Sequence, residues 1–222
     1  MHLRIHNEGW VYLVISFLIT IIIIPFYTIL GIFLCILSIY IFYFFRDPIR
    51  AIPNEDVVVS PADGLVTFIG ESNSPLESNL DKNNYTKISI FLSIFDVHVN
   101  RMPIDASILS IKYIPGKFLN ATLDKSSKEN ERNIIYAKKN EDYFYVVQIA
   151  GLIARRIVCN LKNNQEVIKG ERIGIIKFGS RVDLYLPKNF NILISKGQRV
   201  VGGETIISNP NNTQNIKSTT LK

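Results

Sequence analysis

The chain has 222 residues, a net charge of +6, three histidines and two cysteines. Five of the six net positive charges lie after residue 50, since the first 50 residues hold three basic and two acidic side chains; with no arginine-rich arm or zinc spacing to suggest nucleic acid, the excess favours a lipid surface as the anionic partner. Cys35 and Cys159 supply neither a disulfide framework nor a metal pair, which excludes a disulfide-stapled secreted scaffold, suits a reducing compartment and leaves Cys159 as a core residue.

In chain order, Val11 to Phe45 comes first, 35 residues without a charge. As one helix it would run about 52 Å, against a hydrocarbon core of about 30 Å. Pro25 and Gly31 interrupt it, Arg4 precedes it, Arg46 and Arg50 follow it, and Trp10, Tyr12, Tyr40 and Tyr43 lie near its ends. The pattern predicts a helical hairpin bent near Pro25, a membrane anchor with both ends cytoplasmic, and it leaves open whether the anchor spans the bilayer or dips into it. The stretch is too long for a cleaved signal peptide and no small-residue cleavage site follows it. The expected organisation is an anchor over 1–50, a domain over 51–207 on the cytoplasmic face of the cell membrane, and a polar, disordered tail over 208–222.

Pro48 and Pro53 stop any helix from continuing. Val57–Val59 leads into Ser60-Pro61-Ala62-Asp63-Gly64, a turn signature that makes Asp63 a turn residue, and Leu65–Ile69 follows as a strand. Further strands are predicted over Lys87–Phe95, Ala106–Ile114, Ile134–Lys138 and Tyr143–Ile149, with a polar lip or short helix over Asn120–Asn133. Leu152–Leu161 has no clean period and reads as helix or strand. Two apolar runs, Ile173–Phe178 and Val182–Leu186, read as buried strands on either side of Gly179-Ser180.

One word repeats at a spacing of 33 residues: Gln165-Glu166-Val167-Ile168-Lys169-Gly170-Glu171-Arg172-Ile173 returns as Gln198-Arg199-Val200-Val201-Gly202-Gly203-Glu204-Thr205-Ile206. The shared pattern Q-x-V-x-x-G-E-x-I takes a strand into a glycine turn twice, so the domain is expected to be built of pseudo-symmetric halves. The predicted fold is mainly β, a compact barrel-sandwich of the lipoyl-carrier type behind the helical anchor.

On its own, Gly179-Ser180 is a bulge or tight turn with a solvated serine. His98 is the only histidine after the apolar segment, and a lone histidine near a strand end is more often structural than catalytic. The surrounding words change this reading. VIKGERIGIIKFGSRVDLYLP, PGKFLNATLDKSSKENER, QIAGLIARRIVC, FFRDP and SPADG together resemble the short, bacterial-type phosphatidylserine decarboxylase proenzymes, and the resemblance runs from the apolar segment to Ser208. It implies that Ser180 becomes an enzyme-bound pyruvoyl group, a covalent pyruvate cofactor, by cleavage after Gly179. The mature protein would then pair its own 1–179 and 180–222 chains, with a higher oligomer left open. It further implies decarboxylation of membrane phosphatidylserine to phosphatidylethanolamine through a Schiff base, with neither a metal nor nucleic acid involved.

Longer relatives carry D-x-H-x-x-H where this chain has Asp96, His98 and Arg101, with an aspartate of the SPADG-like turn, here Asp63, completing a triad with the serine. The resemblance therefore makes Ser180, His98 and Asp63 catalytic, and it leaves His98 to processing, decarboxylation or both. Candidates for holding the lipid phosphate are Lys117 and Arg181, with Arg155 and Arg156 beside them. Two rival readings are a membrane-anchored carrier domain, which would need a modifiable lysine where Gly179-Ser180 stands, and a serine hydrolase, which would lack the G-x-S-x-G elbow.

Overall fold

The uncharged run folds as a helical hairpin. In a computed structural model describing residues 3–76, 85–119, 129–151, 156–177, 179–210 and 219–221, the chain divides into two units, Met1–Ile49 and Arg50–Lys222. The first contains β1 (Leu3–Ile5), α1 (Asn7–Ile23), α2 (Thr28–Phe44) and β2 (Arg46–Pro48), with β1 and β2 antiparallel. His6 caps α1 by accepting from the Glu8 N–H through Nδ1. The chain reverses around Pro25, as expected. Glycines allow the close approach at both ends of the hairpin: a Cβ on Gly9 would fall 2.5 Å from Phe45 Cβ, and one on Gly31 2.6 Å from Ile24 Cα.

Among the described residues no helix is long and apolar enough to cross a membrane. An anchor that spans the bilayer therefore has no support. The break between α1 and α2 leaves two helices of 17 residues each, about 25 Å long against a hydrocarbon core of about 30 Å. Both helices nonetheless present large apolar side chains outward, among them Phe17, Ile22, Ile29 and Phe33.

The second unit is mainly β. Its strands are β3 (Ala51–Pro53), β4 (Val58–Val59), β5 (Gly64–Ser72), β6 (Tyr85–Leu92), β7 (Val99–Arg101), β8 (Ala106–Ile114), β9 (Arg132–Lys139), β10 (Asp142–Ala150), β11 (Ile157–Cys159), β12 (Glu166–Val167), β13 (Arg172–Ile176), β14 (Ser180–Pro187), β15 (Arg199–Val200), β16 (Ile206–Ser208) and β17 (Thr219–Leu221). Eight form one sheet in the order β12-β8-β9-β10-β14-β6-β5-β15, and β11-β13-β7, β16-β4 and β17-β3 make smaller sheets. The open reading of Leu152–Leu161 resolves in part as β11. Of the tail expected to be disordered, Thr219–Leu221 pairs with Ala51–Pro53, because backbone pairing on a strand edge does not depend on an apolar sequence.

The 33-residue repeat governs this topology. Its two copies supply β12 and β15, the opposite edges of the large sheet, and the sheet is pseudo-symmetric about the seam between β10 and β14. Equivalent hydrogen bonds recur: Ile108 N–H to Gln165 O at 2.8 Å matches Val66 N–H to Gln198 O at 2.9 Å, and both partner strands are irregular there, between Ile108 and Ser110 and between Val66 and Phe68. The repeat glycines Gly170 and Gly203 have φ of +79° and +82°, and a Cβ on either would lie 2.7 Å from Ile52 Cδ1. The turns that follow the two edge strands thus converge on one isoleucine.

β14 lies in the middle of the sheet and is buried from Ser180 to Leu186. Val182, Leu184 and Leu186 face the main core with Ile90, Leu92, Val146 and Ala150, while Tyr185 packs in a second cluster with Tyr85, Tyr145 and Ile149. Period-two alternation puts the Ser180 side chain on the main-core face.

Candidate active site

Gly179 connects the β13 segment to β14 with φ +68°, and a Cβ there would meet nothing within 4 Å. Conformation, not space, is what calls for glycine at this position. Ser180 opens β14 between Ala150 of β10 and Leu92 of β6. It is fully buried, and its Oγ has no hydrogen-bond partner among the described residues. The expected solvated turn serine is therefore a core serine with an unspent hydroxyl. The carbonyl oxygen of Gly179 accepts from the Gly151 N–H at 3.0 Å.

His98, also fully buried, reaches the same junction. The Gly179 N–H donates to His98 Nε2 at 3.4 Å, and His98 Nδ1 lies 2.9 Å from the carbonyl oxygen of Asp96. A carbonyl oxygen can only accept, so Nδ1 carries the hydrogen and Nε2 presents its lone pair to the Gly179 N–H, one peptide unit before the Gly179-Ser180 bond. Asp96 is itself fixed: Oδ2 accepts from Ser93 N–H at 2.8 Å and from Ser93 Oγ at 2.7 Å, and Oδ1 pairs with Arg199. The Ser93–Asp96 turn thereby aims a backbone carbonyl, not a carboxylate, at the imidazole.

Asp63 is placed differently from the triad expectation. Its carboxylate receives Arg50 Nη2 at 2.7 and 2.9 Å and the Gly202 N–H at 2.8 Å. Burial pushes Asp63 above the usual carboxylate range, and the Arg50 charge and the Gly202 hydrogen bond work against that rise. The structure brings Ser180 and His98 together through Gly179, and it sets Asp63 to tying the SPADG turn to Arg50 and to the second repeat. Removing one partner of a largely buried ion pair strands the other, so Asp63→Ala is expected to cost about 3 kcal/mol of stability, read as a lowered urea midpoint. A midpoint unchanged from wild type, with cleavage abolished, would return Asp63 to a chemical role.

Of the phosphate candidates, Arg181 is buried and paired with Asp183, Nε to Oδ1 at 2.9 Å. It lies on the sheet face opposite Ser180. Lys117 is exposed and pairs with Glu129 at 3.1 Å. Arg156 is exposed, and Arg155 lies outside the described residues. Arg101, which stands where longer relatives have a second histidine, is buried and donates to the Gly170 carbonyl at 2.9 Å. The contribution of Gly151 was missed from the sequence because it is a backbone N–H; the one signal was a glycine directly after an apolar strand.

A buried serine hydroxyl, a Gly179 carbonyl held by a backbone N–H and an imidazole on the Gly179 N–H define a site for acyl transfer at the Gly179 carbonyl, inside a mainly β domain. Comparison with known proteins names the family. The sequence profile of the phosphatidylserine decarboxylase family matches residues 37–208. The chain is similar to the phosphatidylserine decarboxylase proenzyme of Ehrlichia chaffeensis, 51% identical over 92% of this chain and 91% of that one. Those of Pelagibacter ubique (47%, covering 92% and 96%) and of the Wolbachia of Brugia malayi (49%, covering 95% and 94%) are also similar. The chain belongs to the phosphatidylserine decarboxylase family.

Proposed function

We propose that this chain is a proenzyme that cuts itself between Gly179 and Ser180, carries the resulting pyruvoyl group at position 180, and decarboxylates phosphatidylserine to phosphatidylethanolamine at a membrane surface. The observation that carries the reading is the buried Ser180 Oγ, without a partner among the described residues, beside a Gly179 carbonyl already held by Gly151. The Ser180 Oγ–Gly179 C bond forms, the Gly179–Ser180 C–N bond breaks, and the hydroxyl proton passes to the released amine, with His98 Nε2 as its carrier. The Gly151 N–H stabilises the oxyanion that builds on Gly179 O. Loss of the Ser180 α-proton then expels Gly179 as a carboxylate, and hydrolysis of the unsaturated residue with loss of ammonia leaves the pyruvoyl group.

The junction suits that group, since the left-handed glycine leaves the carbonyl open to attack and the neighbouring core face excludes water. When in place, the pyruvoyl group supplies an electron sink for the pair left behind as carbon dioxide departs. His98 can hold a proton at Nε2 for return to the substrate carbon.

The repeat-related halves, with their turns converging on Ile52, support reading the domain as a barrel-sandwich. The outward apolar side chains of the hairpin support its insertion into one leaflet of the cell membrane from the cytoplasmic side, with Arg4 and Arg46 at its open end. Processing yields a pair of chains, 1–179 and 180–222. The test combines intact mass with carbon dioxide release. Purified protein is expected to show both chains, and to turn over phosphatidylserine in vesicles at least about a hundredfold faster than free serine, because lipid contacts remote from the reacting carbon contribute to the rate. Equal rates on the two substrates would sink the membrane-surface reading, and full activity from an uncut chain would sink the self-cleavage.

A further inference from the structure

We infer that Asn100 is a substrate-binding residue whose side-chain amide donates to the carboxylate of the serine head group; the inference rests on the decarboxylase reading. Asn100 lies on β7, two residues beyond His98. Asn133 Nδ2 donates to Gln148 Oε1 at 3.0 Å, and Gln148 Nε2 donates to Asn100 Oδ1 at 2.9 Å. All three side chains are buried. The relay runs in one direction and ends on Asn100 Nδ2, a buried donor with no partner among the described residues. Leaving such a donor unspent is costly, and a fixed network that ends in one marks a place built to receive an acceptor.

Register places that donor with Ser180. On β10, Ala150 stands opposite Ser180 and Gln148 opposite Val182. Val146, Ala150 and Val182 all belong to the main core, so Gln148 projects from the sheet face that carries the Ser180 side chain. Asn100 hangs from Gln148 over this face, and His98, on the same short segment, accepts from the N–H of Gly179, the residue before Ser180. The region therefore gathers two polar atoms without a partner among the described residues, Ser180 Oγ and Asn100 Nδ2, among aliphatic side chains.

The chemistry of the substrate selects the acceptor. Phosphatidylserine differs from its product by one carboxylate, which enters charged and leaves as neutral carbon dioxide. A guanidinium would stabilise the charged ground state most of all and so oppose the loss. A neutral amide orients the carboxylate with a smaller ground-state penalty. Consistent with that, the neighbouring guanidinium of Arg101 bonds to Gly170 O and that of Arg181 to Asp183.

Asn100→Asp keeps the shape and the acceptor for Gln148 but replaces the donor with an oxygen that repels a carboxylate; Asn100→Leu removes the donor without adding charge. Both are expected to cleave into 1–179 and 180–222 as wild type does, and to lose about thirtyfold or more in phosphatidylserine turnover, the scale of one lost charge-assisted hydrogen bond. A binding readout separates this from general damage. Two unreactive probes without the amine are titrated calorimetrically into processed protein: glycerophospho-3-hydroxypropionate, which keeps the carboxylate, and glycerophosphoethanol, which lacks it. Wild type is expected to prefer the carboxylate probe by about tenfold, and the variants to bind the two alike. A preference retained in Asn100→Leu, or variants that fail to cleave, would overturn the inference. A wild-type protein that cleaves but releases no carbon dioxide would instead overturn the decarboxylase reading, before any variant is compared.

Discussion

Ser180→Ala is expected to give a single 222-residue chain that releases no carbon dioxide, a loss of at least about a thousandfold in turnover. The same protein is expected to be no less stable than wild type. Ser180 faces the apolar core from the centre of the eight-stranded sheet, opposite Ala150, and its hydroxyl has no partner among the described residues. Alanine removes an unsatisfied buried oxygen and leaves the methylene in place, which favours the folded state by about 1 kcal/mol. A substitution that abolishes function while leaving stability equal or higher separates a group kept for chemistry from one kept for packing. Intact mass reads the cleavage and urea unfolding reads the stability. Cleavage of Ser180→Ala at the wild-type rate would show that another residue supplies the attacking oxygen.

Much of the fold was legible. Ala106–Ile114 matches β8 at both ends, and the run Val182–Leu186 falls within the buried β14, because an uninterrupted apolar run is what a strand covered on both faces requires. The repeat was more informative than any single strand. Read as a strand entering a glycine turn twice, it turned out to define both edges of one sheet, since an internal repeat specifies local geometry and leaves the distance between its copies to the residues in between. Its glycines carry the same left-handed φ because each must pass Ile52. The hairpin reversal at Pro25 was legible too, but not its consequence, two helices each too short to cross a bilayer.

The site divides in the same way. Ser180 and His98 were found through word-level resemblance, and the structure gives both a physical reason by burying them on either side of Gly179. What sequence reasoning could not supply were the partners. Asp63 was read as part of a triad, and its carboxylate goes to Arg50 and Gly202, 13 residues before it and 139 after it. The group that orients His98 is the backbone of Asp96, and the donor on the scissile carbonyl is the backbone of Gly151; neither depends on a side-chain identity that a motif could record. Gln148, a lone amide in the apolar strand of β10, was the visible trace of the buried relay.

The arrangement at His98 yields the second large effect. Nε2 faces the Gly179 N–H at 3.4 Å while Nδ1–H is held by Asp96 O at 2.9 Å, so the ring is already in the tautomer of a base, one peptide unit from the scissile bond. His98→Ala is therefore expected to slow cleavage by about a hundredfold to ten-thousandfold, the range for removing a positioned general base. The substitution opens a cavity the size of the buried ring beside the Gly179 N–H, so added imidazole is expected to restore part of the cleavage rate, as a purely structural histidine would not allow. His98→Gln keeps a hydrogen-bonding side chain but carries no titratable lone pair, and it is expected to cleave as slowly as the alanine variant. The fraction that does cleave, isolated and assayed on phosphatidylserine vesicles, reports the second role. Turnover per cleaved molecule near wild type would confine His98 to processing, and a comparable fall would assign it the later proton transfer as well. Wild-type cleavage and wild-type turnover in His98→Ala would remove it from the chemistry altogether, and the 3.4 Å contact with Gly179 would then be packing alone.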